Sequence, residues 1–178
     1  MASSEAESRL LNTLIVPALE KIIKNGSWRK HSKLVNQCKS VVSRLTAPVN
    51  NLSPNSPSSQ SSVSGVLYDS GTNELTLAES EFVLSPLINA CVSETVKIAE
   101  PALDCIQKLI AHGCLRGESD PSGGEDGKLL AKLIDSVCKC RELSDEGVEL
   151  LVLKTILSAV TSMSLRIVGD SLRRQRRR

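Results

Sequence analysis

Apolar residues recur at positions 10, 11, 14, 15, 18, 19, 22 and 23, a spacing that places them on one face of a helix. Ser4 and Glu7 make a capping-box pattern ahead of this stretch. Pro17 within it predicts a kink or a later start, and Gly26 a stop. A second helix is predicted over about 28–45, burying Leu34, Val35, Cys38, Val41, Val42 and Leu45 and showing Arg29, Lys30, Lys33 and Lys39. Between 46 and 75 the pattern is lost. Residues 50–65 are mostly Ser, Asn, Pro and Gln, which offer nothing to bury, so a disordered surface loop is expected there.

Periodicity returns at Thr76, which forms another capping-box pattern with Glu79 ahead of Phe82, Val83, Leu84, Leu87 and Ile88. A longer helix is predicted over 94–112, with Val96, Ile98, Ala99, Leu103, Ile106, Leu109 and Ile110 inward and Gly113 as its stop. A glycine-rich acidic loop at 114–127 separates it from two amphipathic helices, 128–141 and 146–162, hinged at Leu143-Ser144. Ser144 is the expected cap of the second, and Asp145 and Glu146 suit its positive N-terminal dipole. The segment from Leu165 reads as the start of a further helix, and no stretch reads as a strand. Pro17-Ala18-Leu19-Glu20-Lys21-Ile22 is echoed by Pro101-Ala102-Leu103-Asp104-Cys105-Ile106, each followed shortly by a helix-ending glycine. The expected fold is therefore all-α, an armadillo/HEAT-like α-solenoid of antiparallel helix pairs.

At 178 residues the chain fits one domain, and aromatic residues at 2% argue against base-stacking modules and aromatic-lined pockets. The formal charge of +2 is uneven: without the five arginines of 173–178, 17 basic residues face 20 acidic ones. On charge grounds the body is not a nucleic-acid binder. The tail could engage RNA or anionic membrane, and this is the alternative function. The N-terminus lacks the features of a targeting leader, and the best apolar run, Leu150–Leu153, is stopped by Lys154. The six cysteines read as reduced core residues of a cytosolic protein.

Catalytic chemistry finds little support. His31 sits among Arg29, Lys30 and Lys33, and His112 at a helix C-terminus, neither with a specified partner. Cys138 and Cys140, two residues apart on a helix, point about 200° from one another and cannot clamp one ion. Residues 123–128 suggest a phosphate loop, but Ser122 and Leu129 stand where that motif requires Gly and Ser/Thr. No catalytic residue, cofactor or metal is expected. Trp28, Arg29, Lys30 and Lys33 are the candidate partner-binding residues, as a basic surface for an acidic partner or membrane.

Three stretches carry a resemblance. They are Lys21–Asn25 continuing through Trp28–Ser32, Pro101–Gly113, and Ser144–Leu150 with Leu157–Ser162. In this order they resemble the N-terminal dimerisation and cyclophilin-binding (DCB) domain of the plant brefeldin A-inhibited guanine nucleotide-exchange proteins, large exchange factors for ADP-ribosylation factors. The resemblance covers most of residues 5–172 and implies an armadillo-like stack. It implies self-association, pairing with the family's homology-upstream region, and contact with an ADP-ribosylation-factor-like small GTPase and with cyclophilin. It also implies a cytosolic protein held peripherally at trans-Golgi and endosomal membranes, active in vesicle-mediated transport. The family's exchange activity resides in a separate downstream domain, whose catalytic loop reads F-R-L-P-G-E-A-Q. Leu115-Arg116-Gly117-Glu118 echoes only part of that loop, so no catalytic role is carried over. Residues 173–178 depart from the family pattern and suggest a chain cut short.

Overall fold

The computed structural model describes residues 9–26, 29–47, 64–69 and 73–168. Among them are six helices: α1 (Arg9–Asn25), α2 (Ser32–Thr46), α3 (Leu77–Cys91), α4 (Val96–Ala111), α5 (Glu125–Lys139) and α6 (Glu146–Thr161). Short 3-10 turns, Arg29–His31 and Cys140–Leu143, join α1 to α2 and α5 to α6. The helices form three consecutive pairs in two layers. In one layer α4 packs between α1 and α6; in the other α3 packs between α2 and α5. This is the stack of antiparallel helix pairs that the spacing predicts.

Side-chain hydrogen bonds tie neighbouring helices together, both across the layers and within one of them. The Asn12 amide donates to the Leu45 carbonyl (2.9 Å), and the Asn25 amide to the Lys97 carbonyl (2.7 Å). Gln107, buried on α4, donates to Ser158 Oγ on α6 at 3.1 Å. The Thr76/Glu79 capping box is formed: Thr76 Oγ1 accepts from the Glu79 N–H, and Glu79 Oε2 accepts from the Thr76 N–H. Two of the four otherwise unpaired N-terminal donors are thereby satisfied. Pro17 and Pro101 both lie inside continuous helices, so Pro17 does not begin one. The cap of α6 is Asp145, whose carboxylate accepts from the Val148 N–H at 3.0 Å. Ser144, the expected cap, instead takes a left-handed conformation (φ 51°) that closes the preceding 3-10 turn.

Strands, not expected from the sequence, occur at four places. β1 (Ser64–Asp69) and β2 (Asn73–Thr76) form an antiparallel hairpin inside the stretch read as loop. β1 also pairs on its other side: Arg116 N–H donates to the Val66 carbonyl (2.9 Å) and Tyr68 N–H to the Cys114 carbonyl (2.7 Å). The polar composition of 46–75 hides this, because Val66 and Leu67 are held in the core by partners some fifty residues away. β3 (Gly117–Ser119), within the predicted acidic loop, pairs in parallel with β4 (Leu165–Ile167). The expectation of a helix from Leu165 is thus corrected over 165–167. A short apolar run does not distinguish strand from helix, and burial of Leu165 beside β3 decides it. The Ser4/Glu7 pattern, residues 48–63 and the arginine tail lie outside the described residues.

Candidate interaction surfaces

Arg29 and Lys30 project from the 3-10 turn and Lys33 from the first turn of α2, all three exposed and adjacent. The turn is seated by His31, whose Nε2 lies 3.5 Å from Thr95 Oγ1. Lys30 and Lys33 rim a groove of about 440 Å³ that also contains Gln37, Asn89, Val92 and Glu94. The predicted basic surface is therefore brought together, with Glu94 as an acidic neighbour across the groove. Trp28 lies outside the described residues.

A second groove, about 730 Å³, runs between α2 and α3 beside Ser32, Asn36, Ser40, Glu81, Phe82 and Ser85. Its helices are clamped at one end by Arg44, which is 3.4 Å from Glu79 and lies over the Phe82 ring at 5.2 Å. His31 and Ser93 also line the first groove, but the Ser93 hydroxyl donates to the Ala90 carbonyl at 2.7 Å and the His31 ring faces Thr95. Among the described residues no group of three His, Cys, Asp or Glu is placed to hold a metal ion, and no helix is long and apolar enough to cross a membrane.

The motifs weighed for chemistry have structural explanations. Leu115 is buried, and Arg116 stacks on Tyr68 at 4.6 Å while its Nε donates to the Gly113 carbonyl. Lys128, in the glycine-rich stretch, pairs with Glu125 at 2.8 Å. Cys140 is buried, and its thiol donates to the Cys91 carbonyl at 3.4 Å, whereas Cys138 is half-buried on another side of the helix.

Burial drives the thiol pKa values of Cys38 and Cys105 up to about 12. In the unfolded chain thiols ionise near 8.5. Between those values the unfolded chain releases protons that the native state keeps, so stability falls as pH rises from about 9 towards 12. The urea midpoint is expected to drop between pH 8 and pH 10.5, with a shallower slope in Cys38→Ala/Cys105→Ala. Identical slopes would refute this.

α6 carries a further, apolar surface. Leu150, Leu153, Leu157 and Val160 on α6 are 67%, 64%, 64% and 59% exposed. Their i, i+3, i+7, i+10 spacing was visible, but nothing local told that this face looks outward.

Comparison with known proteins agrees with the architecture. The family model "Mon2/Sec7/BIG1-like, dimerisation and cyclophilin-binding domain" matches residues 5–175. The chain is 60% identical over 172 residues to brefeldin A-inhibited guanine nucleotide-exchange protein 3 of Arabidopsis thaliana, covering 97% of this chain and 10% of the relative. Protein 2 of the same plant is likewise 60% identical, over 177 residues. Human brefeldin A-inhibited guanine nucleotide-exchange protein 1 is 31% identical over 160 residues, covering 88% of this chain and 8% of the relative. The chain thus spans about a tenth of the length of the plant relatives. It belongs to the Mon2/Sec7/BIG1-like dimerisation and cyclophilin-binding domain family.

Proposed function

We propose that this chain is a non-enzymatic regulatory domain that self-associates, as part of the machinery by which large exchange factors act on ADP-ribosylation factors in vesicle transport. The observation that carries this reading is the family match, which extends over all six helices. A stack of helices offering faces and grooves suits binding of other proteins. On this reading the further partners are the family's homology-upstream region, an ADP-ribosylation-factor-like GTPase and a cyclophilin. The Arg29/Lys30/Lys33 surface is the contact for an acidic partner or for the trans-Golgi or endosomal membrane.

Self-association is tested by light scattering after gel filtration of the 178-residue chain. The expected mass is twice the 19.2 kDa of the monomer. A chain that remains monomeric at about 200 µM, a concentration that would populate even a weak dimer, would overturn self-association by this domain.

A further inference from the structure

We infer that the outward face of α6 is the surface through which two copies of this chain meet. This rests on the self-association proposed above and assigns it to a place. Val148, Val152, Thr155 and Ala159 of α6 are buried. At 100° per residue, Leu150, Leu153, Leu157 and Val160 form a straight row centred about 150° away from that buried face. α6 is thus apolar on both sides, as is α3. α3 has reason to be: it lies in the middle of its layer, with α2 and α5 on either flank. α6 has the composition of an interior helix, yet among the described residues α4 is its one neighbour within the layer, its further contacts being with α5, the Cys140–Leu143 turn and β4. A contiguous apolar row in water marks a surface made for a partner, and this face presents leucines.

Size and charge favour a second copy as the occupant. The row, with fully exposed Met163 just past the helix end, offers on the order of 500 Å² of apolar surface, at the upper end for a monomer's largest patch. A standard interface uses about 800 Å² per partner. The row supplies an apolar centre of suitable size, leaving a rim for flanking polar residues. Spacings of three and four make it a heptad seam, with Leu150 and Leu157 at one repeat position and Leu153 and Val160 at the other. Glu149 borders one edge and Lys154 the other, both exposed. When a copy is turned about a two-fold axis running along the helices, the rows meet in register. Each Glu149 then faces the other copy's Lys154, five residues on, so the edges attract.

The test compares dimer dissociation constants by light scattering and analytical ultracentrifugation. Leu153→Glu/Leu157→Glu is expected to weaken the dimer at least thirtyfold, as loss of two central anchors should. Both side chains are mostly solvated, so far-ultraviolet circular dichroism and the monomer's melting temperature should be unchanged. Lys132→Glu, on the exposed face of α5, should dimerise normally. Lys154→Glu should weaken association several-fold, and adding Glu149→Lys should restore it. A dimer that survives the leucine variant overturns this surface while leaving self-association standing. A leucine effect without charge-swap restoration overturns the in-register pairing. A wild-type chain that stays monomeric overturns both the surface and the reading on which it rests.

Discussion

Replacing Gly65 by alanine is expected to lower the stability of the fold by about 3 kcal/mol and its melting temperature by roughly 10 °C. Gly65 sits in β1, where the pairing with β2 shifts register between Ser64 and Tyr68. A Cβ built there would lie 2.0 Å from the Leu75 carbonyl oxygen, 2.6 Å from Ser80 Oγ and 2.9 Å from the Thr76 carbonyl carbon. Two of these are backbone atoms, and the third cannot retreat freely. Ser80 is buried, and its hydroxyl accepts from the Leu67 N–H at 3.2 Å. Relief of the clash must therefore separate β1 from β2 or break that buried hydrogen bond, and either outcome disturbs Val66 and Leu67 in the core. Gly124→Ala is the control. Its Cβ would approach only the movable carboxylate of Asp126, at 2.6 Å, and its φ of −65° is open to alanine. Thermal melts should show a large loss for the first and a change within about 0.5 kcal/mol for the second.

That contrast also marks where the sequence was legible. The helices announce themselves because their instructions are local: a 3.6-residue period, a Thr76/Glu79 cap, glycines after α1 and α4. β1 has no such signal. Its six residues follow a polar stretch, and what makes them a strand is hydrogen bonding to Cys114 and Arg116, contacts between distant parts of the chain. β4 is hidden for the same reason, since only docking on β3 distinguishes it from a helix start. The basic surface was readable because Arg29, Lys30 and Lys33 are charged and crowded whatever the fold does. The α6 row was not. Leucines at helical spacing normally mean core, and only the packing of the described helices shows that these face outward.

Leu103→Ala separates those two kinds of leucine. Leu103 is fully buried on α4, the helix that packs against α1, α3 and α6. Its truncation leaves a cavity where three helices converge on one, and the surrounding backbone, fixed by continuous helices, can close little of it. The expected loss is about 3.5 kcal/mol, transfer of the missing methyl groups and the residual cavity together. The melting temperature should fall by roughly 10 °C, and denaturant unfolding should show a lower midpoint with unchanged slope. Leu157→Ala, the same chemical change at a side chain 64% exposed, should cost the monomer less than about 0.5 kcal/mol. Its effect should instead depend on protein concentration, appearing only where the dimer is populated, because a partner that binds the native state stabilises it by mass action. Concentration dependence therefore distinguishes the leucine that holds the stack together from the leucine that meets a second copy. Equal, concentration-independent losses at both positions would mean that α6 is buried by this chain's own fold.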